Sequence, residues 1–122
     1  MPTVLVVDDE PAIRRALHRL LAVKGYDVLE AGSAAEGVAA VLKGGVDAVL
    51  CDVTMPGGSG FKFYDQVVSQ VPELARRVVF LTADAKEPEV QQACELRSAP
   101  LLSKLFELEL AIDAIRVALI LK

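Results

Sequence analysis

Five side chains in this 122-residue chain are of the types that handle a hard cation and phosphate together: Asp8, Asp9, Asp52, Thr82 and Lys104. Each stands at the end of an apolar run. Asp8-Asp9 follow Thr3-Val4-Leu5-Val6-Val7, Asp52 follows Ala48-Val49-Leu50-Cys51, Thr82 follows Val78-Val79-Phe80-Leu81, and Lys104 comes just after Leu101-Leu102. Three carboxylates brought within about 5 Å repel by roughly 3 kcal/mol per pair at an effective dielectric near 20. A hard cation relieves that repulsion. Oxygen ligands from a few carboxylates, with water and phosphate completing the shell, suit Mg²⁺ better than zinc or a caged Ca²⁺. A lysine and a hydroxyl at the rim would stabilise charge on a transferring phosphoryl group. Taken singly the signals are weak, because an acid pair more often caps a helix and a lysine is more often a surface charge. Their joint placement at strand ends carries the chemistry.

The elements that must bring these ends together read as strands alternating with helices. Thr3 to Val7 is a β-branched run expected to be buried on both faces. Pro11 suits the first turn of a helix with the preceding acid as N-cap, and Ile13, Ala16, Leu17, Leu20 and Leu21 keep helical spacing until Gly25. Asp27 to Ala31 is a second strand, and Ser33-Ala34-Ala35-Glu36 is a capping box opening a helix with Val38, Val41 and Leu42 inward. The third strand carries Asp52. A turn-rich loop, Met55-Pro56-Gly57-Gly58-Ser59-Gly60, leads to a third helix marked by Phe61, Tyr64, Val67, Val68 and Val71. Val78 to Thr82 is the fourth strand, Pro88 opens a helix carrying Val90, Ala93, Cys94 and Leu96, and Leu101-Leu102 form a short fifth strand. The last helix runs from Glu107 to Leu121 with Leu108, Ala111, Ile112, Ile115, Ala118 and Leu119 on one face. Such alternation means a parallel sheet wound on both faces. In the order 2-1-3-4-5, strands 1 and 3 lie side by side at the switch point, where a site is expected.

Composition bounds the remainder. The chain is 53% hydrophobic and 25% charged with a net charge of −4, which is a globular balance lacking the basic cluster of a nucleic-acid binder. Cys51 and Cys94 sit in apolar contexts and are expected as buried free thiols of a reducing compartment. The start is strand-like, without a basic segment or cleavage site, and no apolar run approaches membrane-spanning length; a cytoplasmic location is expected.

Asp8-Asp9, Asp52, Met55-Pro56-Gly57, Thr82-Ala83 and Lys104 together resemble the receiver domains of two-component signalling, over essentially the full length of the chain. The resemblance implies a single receiver domain over residues 1–122 with a flavodoxin-like, doubly wound five-stranded parallel sheet and five helices. It implies that Asp52 accepts a phosphoryl group from a phosphohistidine on a histidine kinase or histidine phosphotransfer protein. Mg²⁺ is then held by Asp9, Asp52 and the Thr54 carbonyl, with Asp8 acting mostly through water. Lys104 pairs with Asp52 and then with phosphoryl oxygens. Thr82 moves to bond the phosphoryl group, shifting the surface of helix 4, strand 5 and helix 5. Such a domain catalyses its own phosphorylation and dephosphorylation without independent turnover. Thr54 and Asp84 occupy the places that tune phosphoryl lifetime in the family, and Arg14, Arg15 and His18 lie on the first-helix face that meets the partner. On the residues alone, His18 reads as a solvated side chain opposite Leu17 and Leu21.

The chain also departs from the family pattern. Leu105 follows Lys104 where most receivers have proline, so a trans bond with a displaced loop, or an unusually well-held cis bond, is expected there. Leu101 takes the place of the usual aromatic switch. Pro100-Leu101-Leu102-Ser103-Lys104 with Arg97-Ser98 is similar to C-terminal receivers of hybrid sensor histidine kinases. Leu110, Val117, Ile120 and Leu121 fall off the buried face of the last helix, a candidate homodimer or partner surface. Two other readings compete. A phosphorylation-independent pseudo-receiver is the first, disfavoured by intact Asp9, Asp52, Thr82 and Lys104. A Mg²⁺-dependent phosphohydrolase with an Asp nucleophile is the second, disfavoured because Thr54 stands where its general acid belongs.

Overall fold

Strands buried on both faces cannot alternate apolar with polar, and three runs in this chain do not. In the computed structural model, which describes residues 1–55, 58–104 and 108–120, they form the centre of one parallel sheet. These are β1 (Thr3–Val7), β3 (Ala48–Asp52) and β6 (Val78–Thr82). The edges are β2 (Asp27–Ala31) and β7 (Leu101–Ser103). The order is β2-β1-β3-β6-β7, which is the expected 2-1-3-4-5 once the two-residue strands β4 (Thr54–Met55) and β5 (Gly58–Ser59) are set aside. Those two pair antiparallel as a small hairpin just beyond β3.

The period of two then divides each central strand between two cores. Leu5 and Val7, Val49 and Cys51, Val78 and Phe80 face one side, where they meet Val41, Phe63, Tyr64, Val67 and Cys94. These come from α2 (Ala34–Leu42), α3 (Gly60–Gln70) and α4 (Pro88–Leu96). Val4 and Val6, Ala48 and Leu50, Val79 and Leu81 face the other side. There Leu17 and Leu21 of α1 (Pro11–Val23) and Ala111, Ile112 and Ile115 of α5 (Leu108–Ile120) cover them. Each fully buried aliphatic side chain contributes about 1.5–3 kcal/mol. Both cysteines are free and buried, as expected. Among the described residues no helix is long and apolar enough to cross a membrane.

Two inward assignments are corrected. Leu42 is exposed, and the buried stripe of α2 is Gly37 and Val41. Successive helical residues differ by about 100°, so turning Val41 to the sheet turns Leu42 away. The rotation is set by Phe63, whose ring lies 2.8 Å from where a Cβ at Gly37 would stand. Leu96 is likewise exposed, since two residues past buried Cys94 the helix faces water. Pro56 and Gly57 of the loop, the Lys104–Leu105 bond and the helix residues Glu107 and Leu121 lie outside the described residues.

Candidate functional site

The three central strands and β7 deliver polar side chains to one edge, and the backbone ladder sets where each arrives. The Asp8 N–H still donates to the Ala31 carbonyl (3.0 Å), so the chain stays in the sheet for one residue after β1. Asp52 is the last residue of β3, level with Leu81 of β6. The Lys104 N–H donates to the Thr82 carbonyl (2.9 Å), carrying the β6–β7 ladder past Ser103 and pointing the lysine inward. Asp8, Asp52, Thr82 and Lys104 are the polar or charged residues buried in the described chain.

One ammonium group serves three acids. Lys104 Nζ lies 3.2 Å from Asp8 Oδ1 and 3.3 Å from Asp52 Oδ2, and it also donates to Glu10 Oε1. Asp8, Glu10 and Asp52 each offer an oxygen within 4.8 Å of the others. With all four groups ionised, three negative charges and one positive leave a net charge of −2. Among the described residues, Asp52 Oδ1 accepts a long contact of 3.3 Å from the Thr54 N–H. Asp8 Oδ1 accepts from the Glu10 N–H (2.9 Å), while its Oδ2, 3.1 Å from Nζ but off the line of a hydrogen bond, has no hydrogen-bond partner among the described residues. A buried carboxylate oxygen left without a partner costs free energy.

The titration behaviour follows first from burial and then from the crowding of acids around one lysine. Burial, then the neighbouring Asp8 charge, raises Asp52 from 3.8 to about 6, against the pull of Lys104 and the Thr54 N–H. Burial also raises Asp8, opposed by the Glu10 N–H and by Lys104. Burial works against the Lys104 ammonium, yet the bond to Glu10 and the charges of Asp52 and Asp8 outweigh it, holding lysine above its ordinary value. A single lysine beside a single aspartate would lower the acid; here it is divided too thinly. The donor set therefore fits a divalent cation with oxygen ligands: its charge matches the −2, and Asp8 Oδ2 is a ready ligand.

Backbone packing holds the Asp52 peptide in place. A Cβ at Gly60 would stand 2.3 Å from the Asp52 carbonyl oxygen, and the Gly60 N–H donates to the Val53 carbonyl (2.8 Å). Only glycine lets the first turn of α3 press so closely on that peptide. Ser59 caps the helix, its Oγ accepting from the Lys62 N–H (3.2 Å).

The structure thus gathers Asp8, Asp52 and Lys104 and sets the Thr54 N–H beside Asp52. Asp9 follows Asp8 in the chain and is half-buried, but it is not among the acids of that group, whose third member is Glu10. Thr82 reaches the same edge with its Oγ1 accepting from the Asp84 N–H (3.3 Å). Glu10 is the residue sequence reasoning missed. It occupies the N-cap position of α1 in extended backbone, but its side chain makes no cap bond and reaches for Lys104 instead. The signal was Pro11, which fixes the helix start and leaves the preceding acid extended over the strand ends. His18 keeps a side chain 40% exposed to solvent, as expected, and its Nδ1 lies 2.6 Å from Glu30 Oε2, a contact the sequence did not show.

Comparison with known proteins settles the kinship. Residues 4–116 match the response regulator receiver domain. The chain belongs to this family. The receiver is 34% identical over 119 residues to the uncharacterized transcriptional regulatory protein YkoG of Bacillus subtilis, covering 95% of this chain and 50% of YkoG. It is 29% identical over 119 residues to sporulation initiation phosphotransferase F of the same species, covering 98% of this chain and 94% of that protein. Over 85 residues it is 40% identical to the hydrogenase transcriptional regulatory protein HoxA of Cupriavidus necator, covering 70% of this chain and 17% of HoxA. The receiver thus spans half or less of YkoG and HoxA. Among solved structures, chemotaxis protein CheY4 of Vibrio cholerae superimposes with a TM-score of 0.85 at 29% identity, covering 97% of this chain and 98% of that one. The beryllofluoride-activated NtrC4 receiver domain dimer gives 0.86 at 28% identity, covering 98% and 97%. The chain is a receiver of two-component signalling with the flavodoxin-like sheet expected of it. Receivers bind Mg²⁺ at an acidic pocket and interact with histidine kinases or phosphotransfer proteins, and the Asp8, Glu10 and Asp52 carboxylates form such a pocket here.

Proposed function

We propose that Asp52 is the phosphoacceptor of this receiver. The observation that carries the reading is a buried carboxylate at the end of the central strand, with the Lys104 ammonium 3.3 Å from its Oδ2 and other acids beside it. The Asp52 carboxylate attacks the phosphorus of a phosphohistidine on a histidine kinase or histidine phosphotransfer protein. The O–P bond forms as the N–P bond breaks, and the leaving imidazole takes up a proton. Lys104 follows the charge from the carboxylate to the phosphoryl oxygens, and Thr82 exchanges its loop bond for a phosphoryl oxygen. Asp8, Asp9, Asp52 and the Thr54 carbonyl are the groups that would hold Mg²⁺, which when bound supplies charge neutralisation at the transferring phosphoryl group. Glu10 releases Lys104 as the new negative charge arrives. The receiver then acts as one domain in the cytoplasm. Its response passes to α4, β7 and α5, where exposed Leu96, Leu110, Val117 and Ile120 offer a surface for a second copy.

Intact-mass measurement after incubation with acetyl phosphate and Mg²⁺ tests this. One phosphoryl adduct is expected in the parent and none in Asp52→Asn. No adduct in either protein would favour a phosphorylation-independent binding module, and an adduct in both would place the acceptor elsewhere.

A further inference from the structure

Asp8 is held at three points, and one of them is a side chain from α1 that no strand-end argument requires. Its N–H donates to Ala31 and its Oδ1 accepts from the Glu10 N–H. Its carbonyl accepts from Arg14 Nη1 at 2.8 Å. β2 ends at Ala31 and turns into α2, so the guanidinium stands where a continued ladder would have offered a backbone N–H. Arg14 is itself fixed from behind: its Nε donates to Glu30 Oε1 at 2.9 Å, and the other Glu30 oxygen is 2.6 Å from His18 Nδ1. The arginine side chain is only 19% exposed, so it is a fitted part rather than a mobile surface charge.

We infer that Arg14 is a positioning residue for the acid pocket: clamped by Glu30, it ties down the Asp8 peptide so that Oδ2, which accepts no hydrogen bond among the described residues, is held ready as a ligand for a cation. The inference rests on the proposed Mg²⁺-dependent function and deepens it. With N–H, C=O and Oδ1 all engaged, the Asp8 carboxylate has little freedom to rotate, and the entropy of ordering a ligand is lost on folding rather than on ion binding. Releasing the carbonyl frees the peptide to turn, and the ligand must then be ordered by the ion itself. Groups that orient metal ligands typically change affinity 10- to 100-fold when removed.

Calorimetric titration with Mg²⁺ alone reads this without any turnover. Arg14→Ala is expected to raise the Mg²⁺ Kd about tenfold. Glu30→Ala, which leaves Arg14 in place but unclamped, should raise it by a smaller factor, and Glu30→Gln, which keeps an acceptor for Nε, should recover most of that loss. Arg19→Ala removes one positive charge from the exposed face of the same helix and should keep the parent Kd, separating position from net charge. A parent-like Kd in both Arg14→Ala and Glu30→Ala overturns the inference, as does an Arg19→Ala effect as large as that of Arg14→Ala. If Arg14→Ala does not fold, the Glu30 pair decides. A parent that takes the phosphoryl adduct on Asp52 while Arg14→Ala binds Mg²⁺ normally refutes only the role of Arg14; a parent that neither binds Mg²⁺ nor takes the adduct refutes the function beneath it.

Discussion

Two cationic side chains organise this receiver in opposite ways. Arg97, at the end of α4, is matched to its surroundings: Nε and Nη2 form a two-pronged pair with Asp65 at 3.1 and 2.8 Å. Its Nη1 donates to the Ala93 carbonyl at 2.9 Å, and the guanidinium lies 4.8 Å from the centre of the Phe61 ring. One positive charge meets one negative charge, and much of the pair faces water. Lys104 is buried against Asp8 and Asp52 and also meets the exposed Glu10, and one carboxylate oxygen of Asp8 lies in ion-pair range of it but has no hydrogen-bond partner among the described residues. The first arrangement joins two helices and is complete as it stands. The second is short of positive charge by two and becomes complete only when something else arrives. A buried centre that is unsatisfied in isolation points to a ligand, whereas a satisfied one points to stability.

The comparison is broken most forcefully at Lys104. Lys104→Met keeps the length of the side chain and removes its charge, leaving three acids with no counterion. Metal-free protein at neutral pH should lose about 3 kcal/mol of stability, measured by urea denaturation. Millimolar Mg²⁺ should return a large part of that loss, and added monovalent salt should return little, because the centre is buried. A loss that Mg²⁺ does not reduce would mean that the acids do not share an ion.

Asp52→Asn has the opposite sign. The folded-state value of Asp52 is raised from 3.8 to about 6, so its protonated form is the one the fold favours. Its favourable contribution is present below its ordinary value and is lost as pH rises through about 6, since over that window the folded chain binds more protons than the unfolded one. Metal-free parent should therefore lose stability between pH 4 and 7 relative to Asp52→Asn, the difference reaching on the order of 2 kcal/mol at pH 7. Denaturation curves of both proteins across that range check it. Parallel curves would show that Asp52 carries no electrostatic burden.

The sheet was readable because three strands are buried on both faces, and no helical spacing fits Thr3 to Val7 or Val78 to Thr82. Asp8, Asp52 and Lys104 were readable for a related reason: a strand end fixes where a side chain arrives, to within a residue. Glu10 was not, since it lies outside any strand and its destination depends on a lysine ninety-four positions away in sequence. His18 and Arg14 escaped for the same cause, as Glu30 sits on a different element and only the packing of α1 beside β2 brings them together. The rotation of α2 was hidden because Val38, Val41 and Leu42 form a wide apolar arc on a nine-residue helix. Which edge of that arc is buried is decided by Phe63 filling the space above Gly37. Contacts between elements, unlike periodicity within one, leave little trace in a single sequence.

The smallest expected effect lies at the satisfied centre and sharpens the contrast by its salt dependence. Arg97→Ala removes an ion pair whose aspartate side chain is 60% exposed, together with a ring contact. Exposed pairs are worth about 0.2–1 kcal/mol, and a cation over an aromatic ring at an exposed site adds about 0.5–1. The loss should be about 1 kcal/mol at low salt. Asp65→Ala should cost less, because it leaves the guanidinium over Phe61 and bonded to Ala93. A double-mutant cycle at low and high ionic strength isolates the Arg97–Asp65 coupling, which should fall as salt screens it. Mg²⁺ should have no effect on that coupling. Should Mg²⁺ weaken it, the two centres would be linked through α3, whose first residue presses on the Asp52 peptide and whose side chains Phe61 and Asp65 hold Arg97.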